Sequence, residues 1–317
     1  MKHKTKAVSK KMSRLAAILL VALAIFLPRA LLAEETLKLA TDERGKFLWV
    51  MGTKIAKALN DSGIPTEVLV TGGEDENLKL LSSSNVDIAL VTAPALNDYL
   101  KDKGGNNGLL TITALWPRMA HFALLDKFIK TGTLADFHRR RVYLGPEGSQ
   151  ERRIAEEIFR SMDIKTKRLV MNVDETNIID IMTDYIVQRL DGAVFIDYVP
   201  SSTVASILGK TGHYYKLIPA EKEPAGLEKG YFKAVVQEEL YPYQHEDYIT
   251  IGVGSYLISR GELSEDTAHK IVEAIFNSVE DIEKDFSYGF GLKRENGAMN
   301  FVLPIHPGAE EYFRAVP

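Results

Sequence analysis

The chain has 317 residues, 45% of them hydrophobic, and no cysteine. It therefore has no disulfide, thiolate metal site or cysteine nucleophile, and it lacks the lipidated cysteine of a lipoprotein. Residues 1–33 hold seven of the 39 basic residues and none of the 43 acidic ones, so the remainder carries a net charge of about −11. An acidic body lacks the positive field that binds nucleic acids and anionic membranes. We expect no nucleic-acid partner.

The first 33 residues have the layout of a bacterial secretory signal peptide. Six basic side chains precede an apolar run at 15–27, and residues 31–33 (LLA) stand before two glutamates. The run is shorter than the ~20 residues that a membrane-spanning helix needs. We predict cleavage after Ala33 and a periplasmic location. An uncleaved N-terminal anchor is the alternative.

Beyond the leader, short apolar runs alternate with helical patterns. Apolar runs at 37–40, 66–70 and 87–91 enclose helical patterns at 47–59 and from Asn77, an order typical of a parallel sheet covered by helices. Further strands are predicted at 109–115, 121–125, 141–144, 167–171, 192–196 and 249–258, and further helices at 150–162, 176–189 and 264–278.

These elements predict an α/β fold with two lobes. The first lobe would comprise residues 34–127 and 249–317, and the second lobe, residues 128–248, would be inserted between them. Ligands of open α/β sheets bind beyond the carboxyl ends of strands, where helix N-termini present free N–H groups.

Four polar turns stand at such positions: 41–46, 71–77, 92–94 and 145–150. Any one turn taken alone is more typical of an ordinary capped loop, but their recurrence at one edge of both sheets makes binding as good an interpretation as capping. The predicted ligand-binding residues are Thr41, Arg44, Thr71, Asn77, Thr92, Pro94, Ser149, Gln150, Asp197 and Tyr198.

The residues offer no catalytic constellation. The histidines are scattered without the spacing of a metal site, and no G-x-S-x-G surrounds Ser149. Asp180 and Asp184 share one helix face, which is more typical of a solvated surface than of an acid pair. We predict no catalytic residue, no metal and no cofactor. An enzyme on the same fold remains the alternative.

Several segments resemble the TRAP transporter solute receptors of the TAXI family. Residues 71–78 (TGGEDENL) and 85–91 (NVDIALV) are similar to the pattern T-x-G-S-x-E-N-L…G-x-x-D-x-A-x-V. Segments 134–149, 190–195 and 306–309 match later motifs in the same order. The first turn (TDERGKF, 41–47) departs from the family, which has a glycine-rich turn followed by tyrosines.

The resemblance implies a type II periplasmic binding protein. Each lobe would be a mixed, mostly parallel sheet flanked by helices, and hinge strands would let the lobes close on a small molecule. It further implies delivery to a membrane permease and a small carboxylate ligand such as glutamate, another dicarboxylate or a 2-oxo acid. Arg44 is a candidate bidentate partner for that carboxylate, although a solvated charge before a helix is the commoner role of such a residue. Asp197 would repel a carboxylate unless the ligand also carries an amine from which Asp197 accepts. We expect a monomer. A partnership with a signalling or sensor system is the alternative.

Overall fold

A computed structural model describes residues 36–167, 173, 177–184, 189–221, 227–284, 292–299 and 301–315. The predicted signal peptide lies outside the described residues. So do residues 168–171 of one predicted strand and 185–188 of one predicted helix.

Strands and helices alternate along most of the described chain. The strands are β1 (Leu37–Ala40), β2 (Thr66–Leu69), β3 (Ile88–Thr92), β4 (Leu109–Ala114), β5 (Arg118–Leu125), β6 (Val142–Tyr143), β7 (Gly192–Asp197), β8 (Tyr215–Leu217), β9 (Tyr231–Val236), β10 (Tyr248–Val253) and β11 (Ser255–Arg260). The helices are α1 (Phe47–Asp61), α2 (Glu74–Ser82), α3 (Ala93–Lys103), α4 (Gln150–Ser161), α5 (Ile178–Thr183), α6 (Ser202–Thr211), α7 (Glu265–Asn277), α8 (Val279–Glu283), α9 (Arg294–Gly297) and α10 (Pro307–Arg314).

The first sheet has the strand order β2-β1-β3-β11-β4. β1 pairs in parallel with β2 and β3, whereas β11 runs antiparallel to β3 and β4. Helix α1 buries Leu48, Met51, Ile55 and Leu59, which recur at the spacing of one helix face. These side chains share an apolar cluster with strand residues and with α7, so the two helices cover this sheet.

The second sheet has the order β6-β7-β5-β10-β9, with β8 beside β5. Only the β6–β7 pair is parallel among the described pairs of this sheet, so it has less parallel pairing than predicted. The cause is that β5 runs antiparallel to its neighbours β7, β8 and β10, and β9 runs antiparallel to β10. The two-lobed, mixed α/β fold itself is confirmed.

The chain crosses between the sheets at two adjacent segments. Residues 115–117 connect β4 to β5, and Gly254 connects β10 to β11. The predicted single strand at 249–258 is thus two strands in different sheets. The residue at this break has to be a glycine, because a Cβ on residue 254 would lie only 2.1 Å from the Tyr256 hydroxyl oxygen.

Strand pairing also bears on the predicted lobe boundaries. β5 pairs with β7 and β8, and β10 pairs with β5 and β9. Both strands therefore belong to the second sheet, whereas boundaries at 127 and 249 leave β5 and most of β10 with the first lobe. Within the described residues, no helix combines the length and apolarity needed to cross a bilayer.

Candidate functional site: a cleft between the two sheets

A cavity of about 690 Å³ lies between elements of the two sheets. From the first sheet, the turn before α1 and the start of α2 line it. From the second, the start of α4 and the end of β7 line it, and Arg118 stands at the crossing. A concave space lined from both sheets is the usual place for a ligand in such a fold.

Arg118 is the central cation of this cavity, and the sequence analysis missed it. It is the first residue of β5, and its side chain is only 11% exposed. The guanidinium donates to the side-chain oxygen of Gln150 (3.0 Å), to the carbonyl of Ile196 (2.6 Å) and to the Glu151 carboxylate. Burial opposes its charge, but Glu151, Tyr198 and Glu74 together outweigh this and raise the Arg118 pKa. Arg118 is therefore a permanently charged, fixed group.

Glu74 faces Arg118 from the first sheet. It is the first residue of α2, and it is half-buried. Its carboxylate accepts hydrogen bonds from the backbone N–H of Thr92 (2.6 Å) and from the Thr92 hydroxyl (2.7 Å). Desolvation raises the Glu74 pKa, while the Thr92 bonds and the charge of Arg118 act in the opposite direction.

Gln150, Asp197 and Tyr198 are predicted residues that line the cavity. The side-chain oxygen of Gln150 lies 3.4 Å from the Thr92 hydroxyl that donates to it, so this contact spans the cleft. Asp197 accepts from the backbone N–H of Tyr198 at 2.8 Å. The Tyr198 ring stacks on the ring of Phe47, which begins α1.

Thr41, Thr71 and Asn77 lie beneath the cavity wall in a buried network. The Asn77 amide donates to the carbonyl oxygens of Thr41 (2.5 Å) and Leu90 (2.9 Å), and its oxygen accepts from the Thr71 hydroxyl (2.7 Å). The network joins the ends of β1 and β3 to α2, so its observed role is to hold the turns that shape the cleft.

The remaining predicted residues also serve local structure. Thr92 engages Glu74, and Pro94 is buried in the first turn of α3. The Ser149 hydroxyl accepts from the Arg152 N–H and so caps α4. Arg44 is exposed and forms no ion pair within the part of the chain that the structure describes. Solute contact by these residues stays a prediction.

Residues 39–316 match the model of the NMT1-like family. The chain belongs to the NMT1-like family. The comparison with curated proteins found no match.

Solved structures resemble this NMT1-like protein at low sequence identity. PhnD1 from Prochlorococcus marinus (MIT 9301), in complex with methylphosphonate, is 11% identical over 89% of this chain and 98% of that chain, with a TM-score of 0.51. The periplasmic aliphatic sulphonate binding protein SsuA from Escherichia coli is 13% identical over 89% of this chain and 84% of that chain, with a TM-score of 0.47. A nutrient binding protein from Burkholderia cenocepacia bound to methionine is 14% identical over 83% of this chain and 100% of that chain, with a TM-score of 0.46.

Carboxylates outnumber cations on the cavity wall of this NMT1-like protein. The charged lining residues are Asp42, Glu74, Asp75, Glu151, Asp197, Lys46, Arg118 and Arg153. Arg118 pairs with Glu151, and Arg153 pairs with Asp98 outside the wall. Asp42, Asp75 and Asp197 form no ion pair in the described parts of the chain. Within those parts, no group of three or more potential ligands is arranged to hold a metal ion.

Proposed function

We propose that this NMT1-like protein is a periplasmic solute-binding receptor that captures a small organic ion and delivers it to a TRAP-type membrane permease. The observation that carries the proposal is the cleft itself, which is lined by charged and aromatic groups from both sheets. The ordered TAXI motifs and the likeness in fold to a methylphosphonate complex support it.

The contacts across the cleft suit a receptor that closes on its cargo. Phe47 and Tyr198 come from different sheets and stack, while Thr92 and Gln150 approach one another nearby. Because two narrow segments of the described chain join the sheets, each lobe can rotate as a body, which is the hinge mechanism of periplasmic binding proteins in general. A solute between the lobes would add contacts to both and favour the closed form.

A small carboxylate is the solute class that the TAXI resemblance favours. Glutamate, another dicarboxylate and a 2-oxo acid are its members. Arg118 lines the cavity together with Lys46 and Arg153, whereas the exposed Arg44 does not. Since Glu151 and Gln150 already accept from Arg118, a solute carboxylate would have to share or replace those contacts.

Two experiments test the receptor function in sequence. Native mass spectrometry after gentle purification identifies a solute that stays bound. That solute is then supplied with the protein to proteoliposomes containing the cognate permease, and uptake is measured. We expect uptake to depend on the loaded protein and to fall with a Phe47→Ala/Tyr198→Ala double variant. Binding without stimulated uptake would refute the transport role and favour a sensor partner, whereas chemical turnover of the solute would favour an enzyme.

A further inference from the structure

Glu74 stands where a solute anion would be expected. Thr92 ends β3, and its backbone N–H and hydroxyl are donors at the carboxyl end of a central strand. Both donate to the same oxygen of Glu74, at 2.6 and 2.7 Å. The positive charge of Arg118 acts on this carboxylate as well. The chain itself therefore fills a site built for an anion.

The fold holds Glu74 in this place. Gly73 precedes it with a φ of +113°, a conformation that glycine adopts without strain, and α2 begins directly afterwards. Asn77, Leu78 and Leu81 bury the inner side of α2 and so fix the helix against the sheet. In the TAXI pattern a serine stands at the position of Glu74. A carboxylate here replaces a neutral hydroxyl.

The other charges of the cleft are consistent with this arrangement. The Arg118 guanidinium already donates to Glu151 and Gln150, whose atoms belong to the protein. Asp42 and Asp197 line the same cavity, and neither forms an ion pair within the described ranges. Lys46 also lines the cavity and forms no ion pair in the described ranges, but Asp42, Asp75 and Asp197 outnumber it. A second solute carboxylate would therefore meet net negative charge, whereas a positively charged nitrogen would find partners.

We propose that Glu74 is an internal anion that determines solute specificity. It excludes a dicarboxylate, and the solute binds through a positively charged nitrogen that faces the unpaired carboxylates, with no more than one carboxylate of its own. This inference rests on the proposed function in treating the cleft as the place where the solute binds, and it narrows the carboxylates that the TAXI resemblance favours to those with a single carboxylate, which removes glutamate and the other dicarboxylates.

Chemical rescue tests the internal anion without any solute or permease. Glu74→Ala removes a CH₂–COO⁻ fragment that acetate can replace. We expect the variant to melt at a lower temperature, and acetate to restore a few degrees of the midpoint where the same concentration of chloride does not. The matched control is Glu76→Ala, which removes an exposed carboxylate of the same helix that accepts from Gly72 N–H. If acetate raises the melting midpoints of both variants and of the unmodified protein equally, the role of Glu74 as an internal anion is overturned.

Three four-carbon probes of similar length test the specificity. Succinate carries two carboxylates, 4-aminobutyrate one carboxylate and one ammonium, and putrescine two ammonium groups. In calorimetric titrations we expect the unmodified protein to bind 4-aminobutyrate or putrescine at least tenfold more tightly than succinate. Glu74→Gln keeps the size of the side chain and can be used if Glu74→Ala fails to fold. We expect it to narrow the difference in affinity between the amines and succinate. If neither amine binds more tightly than succinate, the proposed specificity is overturned, while the transport test is unaffected.

Discussion

The rings of Phe47 and Tyr198 lie 3.5 Å apart between centroids, with 18° between their planes. Phe47 begins a helix that covers the first sheet, and Tyr198 directly follows a strand of the second. The pair is therefore an apolar contact across the cleft, beside the charged cluster around Arg118.

Phe47→Ala is expected to favour the open form. Aromatic pairs contribute about 0.5–1.5 kcal/mol beyond their buried area, which corresponds to a roughly two- to tenfold loss of solute affinity. Small-angle scattering should show a larger radius of gyration for the variant without solute. Tyr198→Phe keeps the ring contact and serves as the control. An unchanged radius and affinity in Phe47→Ala would mean that the ring pair does not couple the lobes.

Asn77→Ala is expected to destabilise the fold without weakening binding. The substitution removes the buried donor to the Thr41 and Leu90 carbonyls and leaves the Thr71 hydroxyl with only its longer bond of 3.3 Å to the Thr41 carbonyl, at a cost of about 1–3 kcal/mol in the free energy of unfolding. Urea denaturation measures this cost, and Asn85→Ala, an exposed asparagine, should stay within about 0.5 kcal/mol of the unmodified protein. Weaker affinity at unchanged stability would instead show that Asn77 contacts the solute.

Arg118→Met should lower the free energy of unfolding by about 3–5 kcal/mol, because it leaves the Glu151 carboxylate in the cleft without its cation. Adding Glu151→Gln should recover part of that loss in urea denaturation. The control is Arg153→Met, whose partner Asp98 is about half exposed, and we expect less than about 1 kcal/mol there. Equal costs for the two arginine variants would show that the Arg118 pair is no more than a surface ion pair.

His121 should make the stability depend on pH. Its ring is fully buried, is hydrogen-bonded to the Tyr241 hydroxyl at 2.8 Å and stacks on the ring of Tyr248. Burial lowers the pKa of His121 from 6.5 to about 4, despite the nearby carboxylate of Asp197. Because the folded protein keeps His121 neutral, its contribution is complete above the unfolded pKa and is lost as the pH falls.

We expect up to about 3 kcal/mol of the free energy of unfolding to disappear between pH 6.5 and 4. His121→Gln should flatten this dependence in urea denaturation, while His245→Gln, at an exposed histidine, should not. Parallel pH profiles for the unmodified protein and His121→Gln would contradict the assignment.

The sequence predicted the first sheet well, because its strands and helices alternate with clear apolar periodicity. It also predicted Gln150, Asp197 and Tyr198 on the cavity wall. Arg118 could not be recognised, because it is a single charge at the start of the apolar run RMAHFALL, and that run does not reveal which sheet β5 joins. The pairing of β5 with β7 joins residues some seventy positions apart.

Glu74 was hidden for a different reason. Acidic residues in the first turn of a helix are common, since they stabilise the helix dipole. Only the fold reveals that Glu74 reaches Thr92, eighteen positions further along the chain. Thr41 and Thr71 showed the reverse: their residue types and strand-end positions fit a binding turn, but the close packing of β1, β3 and α2 turned them inward.

The two crossing segments are hydrogen-bonded to each other, from Leu115 N–H to the Ser255 carbonyl at 2.8 Å. Bonded side by side, they resist sliding and leave bending about one axis as the easy motion. Arg118 starts its strand next to that axis and carries Glu151 with it on the second sheet, whereas Phe47 and Tyr198 reach across from opposite sides. The Arg118–Glu151 pair would thus stay assembled on the second sheet whether the cleft is open or closed, whereas the aromatic rings meet only in the closed form.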